Sequence, residues 1–502
     1  MNKDDAVDLA QNTTAKAPLN EETPRRNLFL GGQPRPFYMI FMLEIWERFG
    51  FYTVQGILVL YFVRSIGLSH REAYAIFGTF CALIYGLIPV GGYLGDKLLG
   101  TKRTIVLGLV VLALGYALLA CLDLRFLYIA LALICVGAAL FKSNPGVLLA
   151  QCYEKNSPKI HGAFTLYYMA VNIGAMASLI VGPYVSRQYG YGYAYAIAAV
   201  GILLGLLNYG LQYRVIADIQ TAADQRRVSL LKWVMLGIGI WASIAFCARM
   251  LRHPLMAQNI ILSVTGIFVF VYFVCVVKAD QRDRPKLLLV FILILEAVVF
   301  FTLYQQMPTS INVFAVQHVT PKLLGITLDP QSLQMLNPFW IITLSPLLAM
   351  AYGYLNRHDL RFEIPYKFAA GMVFCSISFM ILYLSRFMAN DQGFVSSWWL
   401  VASYFFQALG ELLVSALGLA MIAELVPMSI MGFVIGVWYL TSSVSGFTGA
   451  AVASMTALPK GISPDLNSLN LYTHVFLEIG ITTFIAACCM GMMAPRLMRL
   501  MR

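Results

Sequence analysis

The chain consists largely of long apolar blocks that are separated by short polar breaks. One block runs from Leu287 to Tyr304, and Glu296 is its only charged residue. A helix needs roughly 20 apolar residues to cross a bilayer, where its backbone polar groups must be satisfied within the segment. Only 12% of all residues are charged, whereas soluble domains average about 25%. The sequence therefore predicts an all-α integral membrane protein and excludes a series of soluble domains.

The apolar blocks predict about fourteen membrane-spanning helices. They cover residues 37–64, 73–97, 102–122, 126–152, 161–186, 191–212, 229–249, 255–278, 287–313, 332–355, 364–386, 395–423, 428–457 and 471–496. The seventh and eighth blocks follow a charged connector and have few polar residues at their centres, which indicates a hairpin inserted between two groups of six helices. The predicted parts are an N-terminal segment, a first six-helix bundle, a connector with the inserted hairpin, and a second six-helix bundle with a short tail: 1–36, 37–212, 213–286 and 287–502.

The distribution of basic residues predicts the orientation of the chain. Roughly two dozen of the 35 Lys and Arg residues fall on the side that carries the N-terminal segment, and about nine fall on the other. The positive-inside rule then places both termini in the cytoplasm. Because the net charge of +11 comes from short loops between spans, it predicts orientation in a membrane and not binding to nucleic acid. The nine cysteines include no CxxC pair, so we expect no metal site.

Charged residues inside the predicted spans are few and therefore informative. They are Glu44, Glu47, Arg48, Lys142, Glu296, Glu411 and Glu424. Each costs about 2.5–3.5 kcal/mol on insertion scales, so each requires a partner or a function. Glu424 lies near a span end, where it is expected to reach the interface. We interpret Glu296 as a structural acid, with a second proton site as the alternative.

Three of these charges share one face of the first span. Glu44, Glu47 and Arg48 are three and four residues apart, and Tyr52 lies one turn further along. Two carboxylates beside one guanidinium require a second cation, and Lys142 is the other one that lies deep in a span. A purely structural ion cluster is one interpretation. We favour a proton-titratable site, because the two carboxylates compete for the same cations.

Polar residues in the fifth, tenth and twelfth spans form a second set. Tyr168 and Asn172 lie four residues apart, and Asn337 is a lone amide followed by proline. Either amide alone is typical of hydrogen bonding between helices. Glu411, with Ser415 on the same face, has no deep basic residue in its half of the chain, so it is suited to hold an ammonium group.

The division of charge between the two halves predicts a zwitterionic ligand. Arg48 and Lys142 belong to the first half, and Glu411 belongs to the second. Aromatic residues that can line the space between them are Tyr52, Tyr85, Tyr168 and Trp438. A cavity with one cationic and one anionic end, at the midplane between two helical halves, fits a solute longer than a single amino acid.

At these residues the sequence resembles the proton-coupled oligopeptide transporter family, which has the major facilitator fold. The resemblance extends from Pro36 to the C-terminus. The matching motifs are the ExxERFxYY signature at Glu44 to Tyr52, the glycine-rich loop from Gly91 to Arg103, the fifth-helix signature from Phe164 to Gly174, Asn337-Pro338, Gly410-Glu411 and Gly436-Val437-Trp438. The inserted hairpin is similar to that of bacterial members, so the resemblance implies a multi-pass protein of the bacterial inner membrane.

The resemblance implies proton-driven uptake of di- and tripeptides, with no cofactor and with membrane lipid as the surroundings of a functional monomer. Arg48, Tyr52 and Lys142 would bind the peptide carboxylate. Asn172, Asn337 and Glu411 would bind its amino end. Glu44 and Glu47 would take the proton and exchange partners with Arg48 and Lys142. The implied pocket residues are Phe51, Gln55, Tyr85, Tyr168, Gln305, Ser415 and Trp438.

The sequence departs from the family pattern at three positions. Phe51 replaces the first tyrosine of the signature, which removes one hydroxyl group. Gln55 and Gln305 stand where many members have an arginine and a glutamate that can pair across the outer gate. Because neutral amides do not titrate, we expect an outer gate that is less sensitive to pH, with the proton role resting on Glu44 and Glu47.

Other functions remain open at the level of the sequence. The same fold can carry nitrate, a drug, a sugar or another peptide-like solute, but nitrate would leave Glu411 without a role. A sugar would give no reason for Arg48 and Lys142. A peptide-sensing receptor is a further alternative. An enzyme is not expected, because no Ser/His or Asp/Asp pair is apparent in the middle of a span.

Overall fold

The computed structural model describes residues 32–153, 159–219, 221, 223–225, 228–358, 363–415, 418–459 and 465–501. Residues 1–31, which make up most of the predicted N-terminal segment 1–36, lie outside this part of the chain. The described residues are predominantly helical, as the apolar blocks predict.

The first group of helices extends to Leu211. In chain order, α1 to α7 are Arg35–Tyr61, His70–Tyr93, Thr101–Ala120, Leu127–Lys142, Asn144–Ala150, Lys159–Gln188 and Tyr191–Leu211. Two π-helical turns, Phe62–Ile66 and Leu94–Leu99, extend α1 and α2. A capping box starts α2: the Ser69 hydroxyl accepts from the Glu72 backbone N–H at 3.3 Å, and the Glu72 carboxylate accepts from the Ser69 N–H at 2.8 Å.

The remaining helices form the connector, the hairpin and the second group. A single turn, α8, covers Tyr213–Ile216, and the hairpin consists of α9, Leu230–Arg252, and α10, Pro254–Lys278. The later helices α11 to α18 are Arg284–Tyr304, Asn312–His318, Leu336–Arg357, Ile364–Leu384, Trp398–Val414, Gly418–Leu425, Met431–Ser454 and Leu466–Met501. A π-helical turn, Met307–Ile311, precedes α12, and a 3-10 helix, Pro330–Met335, precedes α13.

Four two-residue strands lie in the connections of the second group. They are β1 at Val319–Thr320, β2 at Lys322–Leu323, β3 at Ile326–Thr327 and β4 at Val395–Ser396. β1 pairs in parallel with β4, and β2 pairs antiparallel with β3. These short pairings fix the loops beside the helix ends.

Twelve helical segments within the described residues are long and apolar enough to cross a membrane, which confirms an all-α membrane protein. The prediction of about fourteen exceeds this number by two. The predicted span 395–423 contains α15, which is apolar but has only 17 residues. The span 428–457 contains the 24 residues of α17, whose Ser, Thr and Gly residues lower its hydropathy.

Small residues allow the helices of each group to pack closely, as is usual where lipid removes a hydrophobic driving force between helices. In the first group α1 packs on α6 and α7, and α3 packs on α4; in the second, α14 packs on α15 and α18. A Cβ at Gly91 of α2 would lie only 1.9 Å from the carbonyl oxygen of Ala139 in α4. The glycine-rich loop motif thus begins at a backbone contact between two helices.

The inserted hairpin touches both groups. α9 packs on α4 and α2, while α10 packs on α17 and α11. The rings of Phe268 and Phe433 stack with centroids 5.5 Å apart, and the Tyr272 hydroxyl donates to the Leu287 carbonyl at 2.7 Å. The division of the chain at 212/213 and 286/287 stays a prediction.

The two groups meet most closely where α2 crosses α17. A Cβ at Gly78 would lie 2.3 Å from the carbonyl oxygen of Gly446, so this crossing has room only for glycine. Nearby, the Ser443 hydroxyl donates to the Ala82 carbonyl at 2.8 Å. Backbone thus touches backbone without an intervening side chain.

Further contacts between the groups lie at the same end of the molecule, where α1 ends and α2 begins. The side-chain amides of Asn312 and Gln334 both donate to the carbonyl of Gly56 at 3.1 Å. Arg187 and Asp329 form an ion pair of 3.8 Å between the groups. We call this end, with the Gly78–Gly446 crossing, the closed end.

Candidate functional site

A small cavity lies between the two groups of helices, with a water-accessible volume of about 70 Å³. Both groups contribute polar side chains to its lining. They are Tyr52, Gln55, Tyr168 and Asn172 from the first group, and Tyr304, Gln334, Asn337 and Glu411 from the second. Six of these residues were predicted as site residues from the sequence, and the structure brings all six together in this central cavity.

The charged residues of α1 form a buried cluster one turn before Tyr52. Arg48 Nε lies 2.7 Å from Glu44 Oε1, to which it donates a hydrogen bond, and 3.2 Å from Glu47 Oε2. Both carboxylates are fully buried, and the Arg48 side chain is 12% exposed. The helical spacing of the three residues therefore produces the predicted pairing.

Tyr167 completes the environment of Glu44. Its hydroxyl donates to Glu44 Oε2 at 2.6 Å, so each oxygen of this carboxylate accepts a hydrogen bond. The sequence prediction named the neighbouring Tyr168 as a site residue and did not include Tyr167. The available signal was a shortage of donors: one guanidinium cannot satisfy two buried carboxylates.

Lys142 ends α4 beside the cluster, although its ammonium group contacts an aromatic ring. Its Nζ lies 3.8 Å from the centroid of the Phe51 ring, a cation–π contact. Within the described part of the chain, no carboxylate lies within ion-pair distance of Lys142. Pro145 follows at the second position of α5, so the chain breaks its helix directly after the lysine, at Ser143.

Glu411 and Asn337 meet across α15 and α13. The Asn337 side-chain amide donates to Glu411 Oε2 at 3.0 Å, and Glu411 is 7% exposed. The sequence placed both residues at one end of the predicted ligand without assigning a bond between them. The first group contributes Asn172 to the same cavity, and its amide donates to the Tyr168 carbonyl at 2.9 Å.

Five predicted pocket residues lie outside the lining of the central cavity, and packing gives the reason for three of them. Phe51 is buried beneath Lys142, and the ring of Trp438 fills the space beside Gly418. Gln305 is buried against Gly449. Tyr85 in α2 and Ser415, directly after α15, are half-buried.

The two remaining acids behave differently from those of the site. Glu424 is exposed, as the sequence predicts for a residue near a span end. Glu296 is buried in α11, and its Oε2 has no hydrogen-bond partner among the described residues. Neither residue lines the central cavity.

The closed end carries the ion pair of Arg187, in the last turn of α6, and Asp329, which lies just before the span that begins at Pro330. Asp329 also caps the following 3-10 helix, where it accepts from the Gln331 N–H at 2.9 Å. Burial raises the pKa of Asp329, whereas the Gln331 N–H and the positive charges of Arg187 and Arg64 oppose that rise. This pair links the two groups, and no sequence motif pointed to it.

A larger cavity of about 490 Å³ lies elsewhere, between α9 and the first group. It is lined almost entirely by apolar residues, such as Leu87, Val136 and Leu236, with Lys232 at its rim. The described residues of its lining include no acid that could bind an ammonium group, whereas the lining of the smaller central cavity contains Glu411, so the central cavity is the candidate ligand site.

The fold and the site together define a class of membrane protein. Two groups of spanning helices enclose a polar cavity that has Glu411 in its lining, while the cations Arg48 and Lys142 lie outside the lining, in and beside the cluster one turn before Tyr52. A polar site between two groups of helices is the arrangement of secondary transporters. The sequence profile of the POT family matches residues 102–469. The chain belongs to the POT family.

Similar proteins come from several bacteria. The dipeptide and tripeptide permease B of Photorhabdus asymbiotica is 45% identical over 93% of this chain and 96% of its own length. The dipeptide and tripeptide permease A of Proteus mirabilis is 44% identical over 97% and 99%.

Several solved structures of peptide transporters have the same fold as this chain. A bacterial homologue of the human drug peptide transporters PepT1 and PepT2 superposes with a TM-score of 0.83 at 33% identity, covering 93% of this chain and 99% of the other. Tetrameric PepTSo2 superposes equally well, with a TM-score of 0.83 at 34% identity, covering 92% and 98%.

Proposed function

We propose that the protein takes up di- and tripeptides by proton-coupled symport with alternating access. The observation that carries this proposal is the central cavity, which is lined by both groups, with Glu411 in its lining and the cluster of Arg48 one turn before the lining residue Tyr52. Family membership and the permeases named above support it. No cofactor is required, because the proton gradient supplies the driving force.

The charges assign the two ends of the peptide. The cationic side, with Arg48, Lys142 and the Tyr52 hydroxyl, suits the peptide carboxylate. The anionic side is Glu411, which already accepts from the Asn337 amide and has capacity left for an ammonium group. The cavity is smaller than the roughly 300 Å³ of ordinary ligand pockets, so we expect peptide binding to widen it.

The orientation predicted from the basic residues assigns the two sides of the membrane. With both termini in the cytoplasm of a bacterial inner membrane, the closed end faces the periplasm. The structure then corresponds to the state in which the outer entrance is shut. Rocking of the two groups about the central cavity would separate the Gly78–Gly446 crossing and admit the peptide.

Proton coupling follows from competition within the cluster of α1. A proton that enters from the periplasm neutralises Glu44 or Glu47, which frees Arg48 or Lys142 to bind the peptide carboxylate. Peptide and proton together leave the cluster balanced, so the outer entrance can close. After inward opening, the proton leaves to the less acidic cytoplasm and the carboxylate reclaims its cation, which releases the peptide.

Uptake of a labelled dipeptide into proteoliposomes tests this function. We expect accumulation with an inwardly directed proton gradient, collapse with a protonophore, and competition by excess unlabelled tripeptide. Binding without gradient-driven accumulation would instead support a sensor or a facilitator. No response to any peptide would make another solute the substrate.

We also propose that a single chain is the functional unit, since both sides of the central cavity come from one chain. PepTSo2 is tetrameric, so assembly needs its own test. Reconstitution at one chain per liposome should retain the uptake rate per chain. A rate that appears only at higher occupancy would contradict a functional monomer.

A further inference from the structure

The two carboxylates of α1 differ in the donors that the protein offers them. Glu44 accepts two short hydrogen bonds, from Arg48 Nε at 2.7 Å and from the Tyr167 hydroxyl at 2.6 Å. Hydrogen bonds to a charged group typically have these lengths and favour the ionised form. Both oxygens of Glu44 therefore have a donor.

Glu47 has no such arrangement. Its Oε2 lies 3.2 Å from Arg48 Nε, but neither of its oxygens accepts a hydrogen bond from a described residue, and both are buried. An ionised carboxylate that is buried without donors is costly, and taking up a proton removes much of this cost. The two acids thus differ in their readiness to be neutralised, although they are three residues apart on one helix.

The groups that face Glu47 do not reverse this difference. Those within electrostatic range are Glu44, Arg48, Tyr52, Tyr116, Lys142 and Tyr167. Only Arg48 and Lys142 are cations. The guanidinium Nε donates to Glu44, and the ammonium group lies over Phe51.

We propose that Tyr167 is a positioning residue that divides the roles of the two acids. Through its hydrogen bond it fixes Glu44 as the permanent counterion of Arg48, and this leaves Glu47 as the carboxylate that carries the transported proton. The step is a simple protonation: a proton from periplasmic water binds a Glu47 oxygen, converts the carboxylate into a neutral carboxyl group and later leaves to cytoplasmic water. This proposal rests on the proposed proton-coupled peptide uptake.

Tyr167→Phe removes the hydroxyl and preserves the ring, so it tests the positioning role. Glu44 then loses one donor and becomes a second proton acceptor. We expect the external pH for half-maximal dipeptide uptake to rise by about one pH unit, because the loss of one hydrogen bond to a charged group makes protonation easier. Tyr184→Phe, an exposed tyrosine on the same helix, is the matched control and should retain the wild-type pH profile.

Two further variants test the division of roles without relying on Tyr167. Glu47→Gln should lose proton-driven accumulation while peptide counterflow persists without dependence on pH. Glu44→Gln should weaken uptake, but the remaining uptake should still respond to the proton gradient. These two variants still test the division of roles between the two acids if Tyr167→Phe fails to fold.

The outcomes separate this proposal from the function on which it rests. Absence of gradient-driven accumulation in the wild type would overturn the proposed function itself. If the wild type accumulates peptide, a wild-type pH profile in Tyr167→Phe would overturn the positioning role. Retained proton-driven accumulation in Glu47→Gln, or equal loss of proton dependence in both glutamine variants, would overturn the division between the acids.

Discussion

The buried acids of the first and second groups of helices differ in the hydrogen-bond and ion-pair partners that surround them. In α1, Glu44 has a guanidinium and a phenol as partners within its own group of helices. In α15, Glu411 has a single hydrogen-bond partner among the described residues, the neutral amide of Asn337. A buried charge without a counterion is costly, so a cation from a ligand would stabilise an ionised Glu411.

This difference explains how one cavity can bind a zwitterion and couple its movement to protons. In the proposed cycle, the cluster in α1 has Arg48 within it and Lys142 of α4 beside it, so it would exchange partners when a proton or a carboxylate arrives. Glu411 has no cation among its described contacts, so in the proposed cycle it would accept the ammonium group of the peptide. We therefore expect substitutions in the first site to affect coupling and substitutions in the second to affect affinity.

The largest effect is expected where the coupling site loses a cation. Lys142→Ala should abolish accumulation of dipeptide against a gradient, because a protonated cluster would offer only Arg48 to the peptide carboxylate. Counterflow in proteoliposomes should persist weakly. Lys232→Ala on the exposed surface of α9 is the control and should accumulate normally. Accumulation by Lys142→Ala would break the assignment of coupling to the first group.

A smaller effect, confined to affinity, is expected at the second site. Glu411→Gln should weaken dipeptide binding by about 10- to 100-fold, since a hydrogen bond to a charged group contributes about 1.5–3 kcal/mol. An N-acetylated dipeptide, which lacks the ammonium group, should bind wild type and variant alike. Glu296→Gln, at a buried acid outside the cavity, should leave both affinities unchanged. Equal weakening for the dipeptide and the N-acetylated dipeptide would show that Glu411 does not bind the amino end.

At the closed end, adding an acid should make dipeptide uptake more sensitive to external pH. Gln305→Glu places a carboxyl group where the wild type has an amide, so dipeptide uptake should depend more steeply on external pH. Gln305→Met, of similar size and without a titratable group, should retain the wild-type profile. An unchanged profile in Gln305→Glu would remove support for the idea that the neutral amides flatten the pH response.

The smallest effect concerns the ion pair of Asp329 and Arg187. Because burial raises the pKa of Asp329 in the closed arrangement, ionised Asp329 disfavours that arrangement at higher pH, and the penalty disappears as pH falls through the raised pKa. Acidification should therefore favour closure. Arg187 is 59% exposed, so the effect should not exceed about 1 kcal/mol.

A pair of fluorophores across the closed end measures this equilibrium against periplasmic pH. Asp329→Asn should lose the acid-induced closure, while its side-chain oxygen can still cap the 3-10 helix. Arg386→Gln, which replaces a half-buried arginine whose described contacts lie within the second group, should behave as wild type. Persistent acid-induced closure in Asp329→Asn would assign the pH response to another group.

Much of the fold could be predicted from hydropathy alone, because lipid permits so few backbone solutions. The predicted span 428–457 contains α17, where the hydropathy is lower because the helix faces its neighbours with residues such as Ser443 and Gly446. Local spacing also predicted the contact of Arg48 with Glu44. Both inferences required only information within one helix.

Contacts between distant helices were not readable in the same way. The bond from Tyr167 to Glu44 and the position of Lys142 over Phe51 depend on how α6 and α4 rotate about their axes, which no local pattern specifies. The pairing of Asp329 with Arg187 depends on how two loops approach each other. Asn337 and Glu411 were predicted separately for one end of the ligand, and their bond emerges only when α13 and α15 pack.

The crossing of Gly78 and Gly446 has a consequence for the speed of the transport cycle. Since neither glycine has a side chain, no rotamer is immobilised when the helices meet and none is released when they part. The crossing therefore adds little entropic cost in either direction, and it specifies a shape without strongly favouring one state. The balance between the open and shut states therefore depends on the polar contacts of the closed end and on the solutes, and substrate supply and proton gradient set the direction of net movement.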